Sequence, residues 1–145
     1  MGSGSPILLQ TMTKVWTTDV RACVRQIDKL AQAGCDLVRI AVPTRSDTQA
    51  FAKIVEKTDI PLVADIHFSA SRAIEAIEAG AAKIRLNPGN IKQKPDVLRI
   101  IHAAKMHGTA IRIGVNEASI RDLGAEQVPV NKRVSLMLRE IKKYV

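Results

Sequence analysis

Short apolar runs alternate with amphipathic segments along the whole chain. Between the runs, apolar residues recur at helical spacing, as in the series Val20, Val24, Ile27 and Ala31. The runs themselves have the length of β-strands and fall at residues 6–12, 37–42, 61–66, 83–87 and 110–115. This alternation predicts a parallel sheet whose strands are joined by right-handed helical crossovers.

The boundaries of the predicted helices carry residue types that commonly start and end helices. Thr18 or Asp19 is predicted to cap the first helix, Ser46 the second and Ser69 the third. Gly34 is expected to end the first helix, Gly80 the third and Gly108 the fourth.

Residues 1–145 are predicted to form one domain, because no linker or low-complexity tract divides them. Within it, residues 1–5 are expected to be a flexible lead, residues 117–130 an irregular loop and residues 131–145 a terminal helix. Asn131 is the expected cap of that helix, and its expected inward residues are Val134, Met137, Leu138, Ile141 and Tyr144.

Charged residues interrupt the predicted strands and bear on the choice of architecture. A parallel strand that is covered by helices should be nearly continuous apolar sequence, yet Arg39, Arg85 and Arg112 lie within such strands. A buried charge without a partner costs several kcal/mol, so a doubly wound sheet would tolerate these arginines poorly. The pattern therefore favours an incomplete TIM-type (β/α) barrel of about five of the usual eight units, with the charges at its mouth. A flavodoxin-like doubly wound sheet is the alternative.

The polar residues near the strand ends suit an anionic ligand. Because strand side chains alternate between faces, Asp65 shares a face with His67, Arg85 with Asn87, and Arg112 with Asn116. Guanidinium groups bind phosphate through two parallel hydrogen bonds and stay charged at any relevant pH. Asp65 could either orient His67 or balance an arginine, and His67 could donate to a phosphoryl oxygen or move a proton.

Composition narrows the ligand classes further. The net charge of +8 favours anionic partners, but only 3% of the residues are aromatic, which makes a nucleic acid a poor candidate. Cys23 and Cys35 are the two cysteines and do not form a C-x-x-C pair, so we expect small buried side chains and no metal site. No apolar run approaches the roughly 20 residues that span a bilayer, and we expect a cytoplasmic protein without a membrane partner.

Five sequence blocks resemble one enzyme family in their order and spacing. The blocks are Gln10–Thr13 (QTMT), Leu37–Ile40 (LVRI), Pro61–Phe68 (PLVADIHF), Lys83–Ile91 (KIRLNPGNI) and Ile111–Asn116 (IRIGVN). Together they closely resemble the 4-hydroxy-3-methylbut-2-enyl diphosphate synthases of the non-mevalonate isoprenoid pathway. The resemblance covers residues 6 to about 119.

The resemblance implies a TIM barrel that binds 2-C-methyl-erythritol 2,4-cyclodiphosphate. In that family a separate C-terminal domain holds a [4Fe-4S] cluster on three cysteines and a glutamate. Two electrons from reduced flavodoxin or ferredoxin then open the ring and remove a hydroxyl. The substrate-binding residues that the resemblance implies are Arg39, Asp65, His67, Arg85, Asn87, Arg112 and Asn116, of which His67 and Asp65 are the catalytic candidates.

The chain also departs from the family pattern. Trp16 stands where the family usually has small polar residues and could crowd the pocket or cover a sheet edge, and Glu117 places a carboxylate near the expected phosphate site. Strands six to eight and the cluster domain have no counterpart in the sequence, so the chain is expected to bind no cluster and to be inactive alone. Its open sheet edges are expected to make it self-associate, and the alternative function is a non-catalytic self-associating scaffold or engineered fragment.

Overall fold

The computed structural model describes residue 4 and residues 6–87, 89–115 and 128–142. Its strands are β1 (Gln10–Met12), β2 (Leu37–Ala41), β3 (Leu62–Asp65), β4 (Lys83–Leu86) and β5 (Ala110–Ile113). Its helices are α1 (Val20–Gln32), α2 (Arg45–Val55), α3 (Ala70–Glu78), α4 (Lys94–His107) and α5 (Val130–Ile141). The predicted alternation is confirmed, although β1 begins at Gln10 rather than at residue 6.

The five strands form one parallel sheet in the order β1-β2-β3-β4-β5. A flavodoxin-like sheet would have the order 2-1-3-4-5, with a switch point where the strand order reverses. No such reversal occurs in this sheet, so the flavodoxin-like alternative is wrong. Successive right-handed crossovers in a constant direction place the helices on one face, which is the arrangement of an open part of a β/α barrel.

The hydrophobic core lies between the sheet and a single layer of helices. Alternate strand residues such as Val38, Ile40 and Ile84 are fully buried and belong to the same cluster as Phe51 of α2 and Ile100 of α4. Burying side chains of this size supplies about 1.5–3 kcal/mol each, so this face stabilises the fold. Among the described residues, none of the helices is long and apolar enough to cross a membrane.

Two of the four predicted helix caps are confirmed. The side chain of Asp19 accepts a hydrogen bond from the backbone N–H of Ala22, and that of Ser69 accepts one from Arg72. The glycine ends are also confirmed, since Gly34, Gly80 and Gly108 follow their helices with positive φ angles.

The prediction that Ser46 caps α2 is wrong. The cap is Thr44, whose hydroxyl accepts from the N–H of Asp47 at 3.3 Å, while the Asp47 carboxylate accepts from the N–H of Thr44 at 3.0 Å. This reciprocal capping box requires an acidic side chain three residues after the cap, and Asp47 stands in that position relative to Thr44 only. Ser46 therefore lies inside the first turn of α2.

The prediction for the terminal helix is also wrong in two respects. Helix α5 begins at Val130, directly after Pro129, so Asn131 lies inside the helix instead of capping it. Val134 and Leu138 are exposed and do not point inward, whereas Met137 and Ile141 are partly buried. Residues 116–127 and 143–145 lie outside the described residues, so the expected loop and the expected position of Tyr144 stay predictions.

The capping box gives a direct test of the α2 boundary. Thr44→Ala removes the hydroxyl acceptor and should lower the free energy of unfolding by about 1 kcal/mol. Ser46→Ala, the matched control, should change it by less than about 0.5 kcal/mol, because the Ser46 hydroxyl caps no backbone N–H. Urea denaturation followed by circular dichroism measures both values, and a larger loss for Ser46→Ala would contradict the assigned cap.

Candidate anion-binding site

The charged residues predicted within strands lie together on the face of the sheet opposite to the helices. We call Arg39, Asp65, Arg85 and Arg112 the polar row. Val38 and Ile40 pack under the helices, so Arg39 between them faces the other side. The register places Asp65 beside Arg85, and Arg85 beside Arg112, on adjacent strands. Four neighbouring strands, β2 to β5, thus bring their charges to one surface.

Asp65 is the acidic centre of the polar row. Its Oδ2 lies 3.5 Å from Nη2 of Arg39, and its Oδ1 lies 3.5 Å from Nη1 of Arg85. The Asp65 side chain is 5% exposed, compared with 29% for Arg39 and 16% for Arg85. One buried carboxylate therefore holds two guanidinium groups, each of which keeps some contact with solvent.

Arg85 has a second anchor on the next strand. Its Nη2 donates a hydrogen bond of 2.9 Å to the carbonyl oxygen of Gly114, just beyond the end of β5. The guanidinium is therefore fixed between Asp65 on one side and Gly114 on the other. Since the plane of a guanidinium sets the directions of all its N–H donors, these two contacts fix how Arg85 meets a ligand.

The polar row carries excess positive charge. It has three arginines and one aspartate, which leaves two positive charges that the row itself does not balance. Arg112 is exposed and forms no salt bridge with another described residue. The Nε of Arg39 is buried and has no hydrogen-bond partner among the described residues. A buried donor without an acceptor costs about 1–3 kcal/mol, so an anion at this surface would satisfy both charge and hydrogen bonding.

His67 lies two residues beyond the end of β3 and does not pair with Asp65. Both oxygens of Asp65 face arginines, so the carboxylate balances charge and does not orient the imidazole. The Nδ1 atom of His67 is buried without a partner among the described residues, and its ring lies 6.2 Å from that of the exposed Phe68. His67 thus has a buried ring nitrogen for which the described residues provide no hydrogen-bond partner.

Asn87 shapes the turn that follows β4. Its Oδ1 accepts a hydrogen bond from the N–H of Gly89 at 3.0 Å, and its backbone oxygen accepts from Asn90 at 2.9 Å. Asn87 is 5% exposed, so its side-chain oxygen serves the turn rather than the open surface. Asn87 therefore lies at the expected end of the sheet, but its side-chain carbonyl stabilises the turn after β4.

Two other residues singled out in the sequence lie outside the described residues. Asn116 and Glu117 belong to residues 116–127, so their expected places at the site stay predictions. Trp16 is described and is 85% exposed in the segment between β1 and α1. It therefore covers no sheet edge within the described chain, and the expectation that it crowds the pocket stays a prediction.

Lys83 and Gly114 contribute to the polar face but were not among the predicted site residues. Lys83 precedes Arg85 by two positions, and strand periodicity alone places it on the same face. Gly114 follows Arg112 by two positions and lies beside Arg85 of the neighbouring strand β4. The sequence signal that could have identified it is a glycine in the series of alternating residues that faces the arginines. A shallow groove between α3 and α4 lies on the outer helix layer, and no residue of the polar row lines it.

The described residues do not fit the [4Fe-4S] cluster that the resemblance implies. Cys23 belongs to α1 and is fully buried, with its Sγ 3.4 Å from the backbone oxygen of Trp16. Cys35 is only partly buried, contrary to expectation, and its Sγ lies 2.9 Å from the backbone oxygen of Leu37. Burial and the nearby Asp19 raise the pKa of the Cys23 thiol, whereas a cluster ligand must be a thiolate. Across the described ranges, His, Cys, Asp and Glu nowhere form a group of three that could hold a metal ion.

The fold is similar to part of solved mandelate oxidase structures, which share little sequence identity with this chain. A mandelate oxidase structure with 3,3-difluoro-2-hydroxy-3-phenylpropionic acid has a TM-score of 0.54 and 15% identity, covering 79% of this chain and 44% of that one. A mandelate oxidase variant has a TM-score of 0.56 and 14% identity, covering 74% and 43% of the two chains. At such identities the likeness shows the fold alone.

Curated relatives share about half of their residues with this chain. The relative from Renibacterium salmoninarum is 50% identical over 121 residues, and that from Acidothermus cellulolyticus is 51% identical over 121 residues. Both are named 4-hydroxy-3-methylbut-2-en-1-yl diphosphate synthase (flavodoxin), and each match covers 83% of this chain. The matched part spans 31% of the length of each relative. The family model described as GcpE TIM-barrel domain matches residues 1–143, and the chain therefore belongs to that family.

Proposed function

We propose that this chain forms the substrate-binding part of a 4-hydroxy-3-methylbut-2-en-1-yl diphosphate synthase. The ligand would be 2-C-methyl-erythritol 2,4-cyclodiphosphate, bound on the polar row. The observation that carries the proposal is the arrangement of Arg39 and Arg85 around the single carboxylate of Asp65. A cyclic diphosphate carries two negative phosphoryl groups, which match the two excess positive charges of the row.

Each predicted site residue then has a role. Arg85 and Arg39 contribute guanidinium donors to the phosphoryl oxygens, and Arg112 contributes a third guanidinium from the next strand. Asp65 orients the first two arginines, and His67 exchanges a proton with the ligand. Asn87 holds the turn beside the site, and Asn116 completes it, as the resemblance implies.

The complete reaction is proposed for a larger protein than the described domain. We infer an iron–sulfur oxidoreductase that receives electrons from flavodoxin, as in the names of the relatives, or from ferredoxin. The two cysteines of this chain do not supply the three cysteine ligands that the family's cluster requires, so we expect these 145 residues alone to lack the reductive activity. The cytoplasmic location expected from the sequence is part of this proposal.

The exposed sheet edges support a second proposal, that copies of this chain associate with each other. β1 and β5 each pair with one neighbouring strand in the described sheet, and Ile7 and Leu9 just before β1 are 93% and 61% exposed. Open strand edges beside apolar side chains are templates for pairing with another chain. If the chain is a non-catalytic scaffold, which is the alternative function expected from the sequence, such association would be its function.

Binding is tested by calorimetric titration of the folded chain with the cyclodiphosphate. Arg85→Ala should weaken binding by about tenfold or more, because it removes charge-assisted hydrogen bonds to a phosphoryl group. Arg99→Ala is the matched control, since Arg99 is 62% exposed on α4 and pairs only with Asp96 among the described residues. Absence of heat at millimolar ligand with a folded sample would reject the proposed function, and equal affinities of the two variants would remove Arg85 from the site.

Self-association is tested by sedimentation equilibrium at micromolar protein concentration. The chain should sediment as a dimer or larger species, and Ile7→Lys should shift it toward monomer by placing a charge at the β1 edge. Met106→Lys, at a 71% exposed position on α4, should leave the distribution unchanged. A monomer in all three samples would contradict association through the sheet edges.

A further inference from the structure

The guanidinium of Arg85 lies across the end of β5 where Gly114 stands. A Cβ atom at Gly114 would lie 2.6 Å from Nε of Arg85, 3.2 Å from its Nη2 and 3.3 Å from its Cζ. These are the three nearest atoms, and all belong to Arg85. The absence of a side chain at Gly114 therefore creates the space that the guanidinium occupies.

The backbone at Gly114 does not itself require glycine. The described glycines with positive φ are Gly4, Gly34, Gly80 and Gly108, and Gly114 is not among them. An alanine at position 114 would therefore meet no backbone strain of the left-handed kind. Its methyl group would instead push against the end of a flexible side chain, which can move at little cost to the fold.

A displaced guanidinium would lose at least one of its two anchors. The bond from Nη2 to the Gly114 oxygen is 2.9 Å, and the contact from Nη1 to Asp65 is already 3.5 Å. A small shift of the group would therefore break the first contact or lengthen the second beyond 4 Å. Arg85 would keep its charge but lose the orientation from which it can form paired hydrogen bonds with a phosphoryl group.

We propose that Gly114 is a positioning residue for the anion site and acts through Arg85. By leaving the end of β5 without a side chain, it allows the guanidinium to bridge Asp65 and the β5 backbone in one fixed plane. The proposal deepens the proposed function and rests on it, because it assumes that Arg85 binds the diphosphate. It predicts that alanine at this position impairs ligand binding while the chain still folds.

The first test compares affinities in a double-mutant cycle. Gly114→Ala should raise the Kd for the cyclodiphosphate about tenfold, close to the effect of Arg85→Ala, with little change in the urea midpoint. In the Arg85→Ala background, Gly114→Ala should cause no further loss of affinity. An equal fold-loss in both backgrounds would overturn the proposal, because Gly114 would then act independently of Arg85.

A matched control separates backbone strain from positioning. Gly34 has a φ of +87°, and no atom lies within 4 Å of the position that a Cβ would take there, so Gly34→Ala should lower the urea midpoint without changing the Kd. Gly114→Ala should show the opposite pattern. If Gly114→Ala also lowered the urea midpoint and left the Kd unchanged, its role would be structural and the proposal would be wrong.

A readout without ligand keeps the two proposals distinguishable. In nuclear magnetic resonance spectra of chain labelled with ¹⁵N-arginine, Gly114→Ala should shift the Nε–H signal of Arg85 and speed rotation of its guanidinium, while the Arg99 signal stays unchanged. An unchanged Arg85 signal would reject the positioning role whether or not the ligand binds. A shifted signal in a chain that binds no cyclodiphosphate would support the positioning of Arg85 and reject only the proposed function.

Discussion

The carboxylate of Asp65 is the interaction on which the polar face of the sheet depends. Arginine in the middle of a helix-covered strand is costly unless its charge has a partner and some access to water. Asp65 provides a partner for Arg39 and Arg85 together, and both arginines retain partial exposure. Partly solvated pairs at 3.5 Å add little stability, so their main effect is to fix where the guanidinium groups point.

The strand order determines that this arrangement faces an open surface. Because the order runs from β1 to β5 without reversal, α1 to α4 pack on one side and bury residues such as Ile40 and Ile84. The opposite side is free to carry polar side chains at alternate positions, which a doubly wound sheet would cover with helices. The same alternation of residues therefore supplies the core on one face and the candidate site on the other.

Sequence periodicity predicted the element order and the pairs that share a face within one strand, such as Arg85 and Asn87, because both depend on local spacing. The expectation that charges from several strands meet at one surface came from the barrel architecture instead. Periodicity did not decide between His67 and the arginines as partners of Asp65, since that choice depends on distances between strands. The predicted cap of α2 was wrong because Thr44 and Ser46 both carry hydroxyls that can cap a helix. Only Thr44 lies three residues before Asp47, where the capping box can form.

The central claim is that the excess charge of the polar row holds a diphosphate. A crystal structure of the chain with the cyclodiphosphate tests it most directly. We predict phosphoryl oxygens within hydrogen-bond distance, about 2.7–3.2 Å, of the guanidinium nitrogens of Arg39 and Arg85, with Asp65 still between the two arginines. A diphosphate bound elsewhere on the chain, with both arginines unchanged and without ligand contact, would contradict the account.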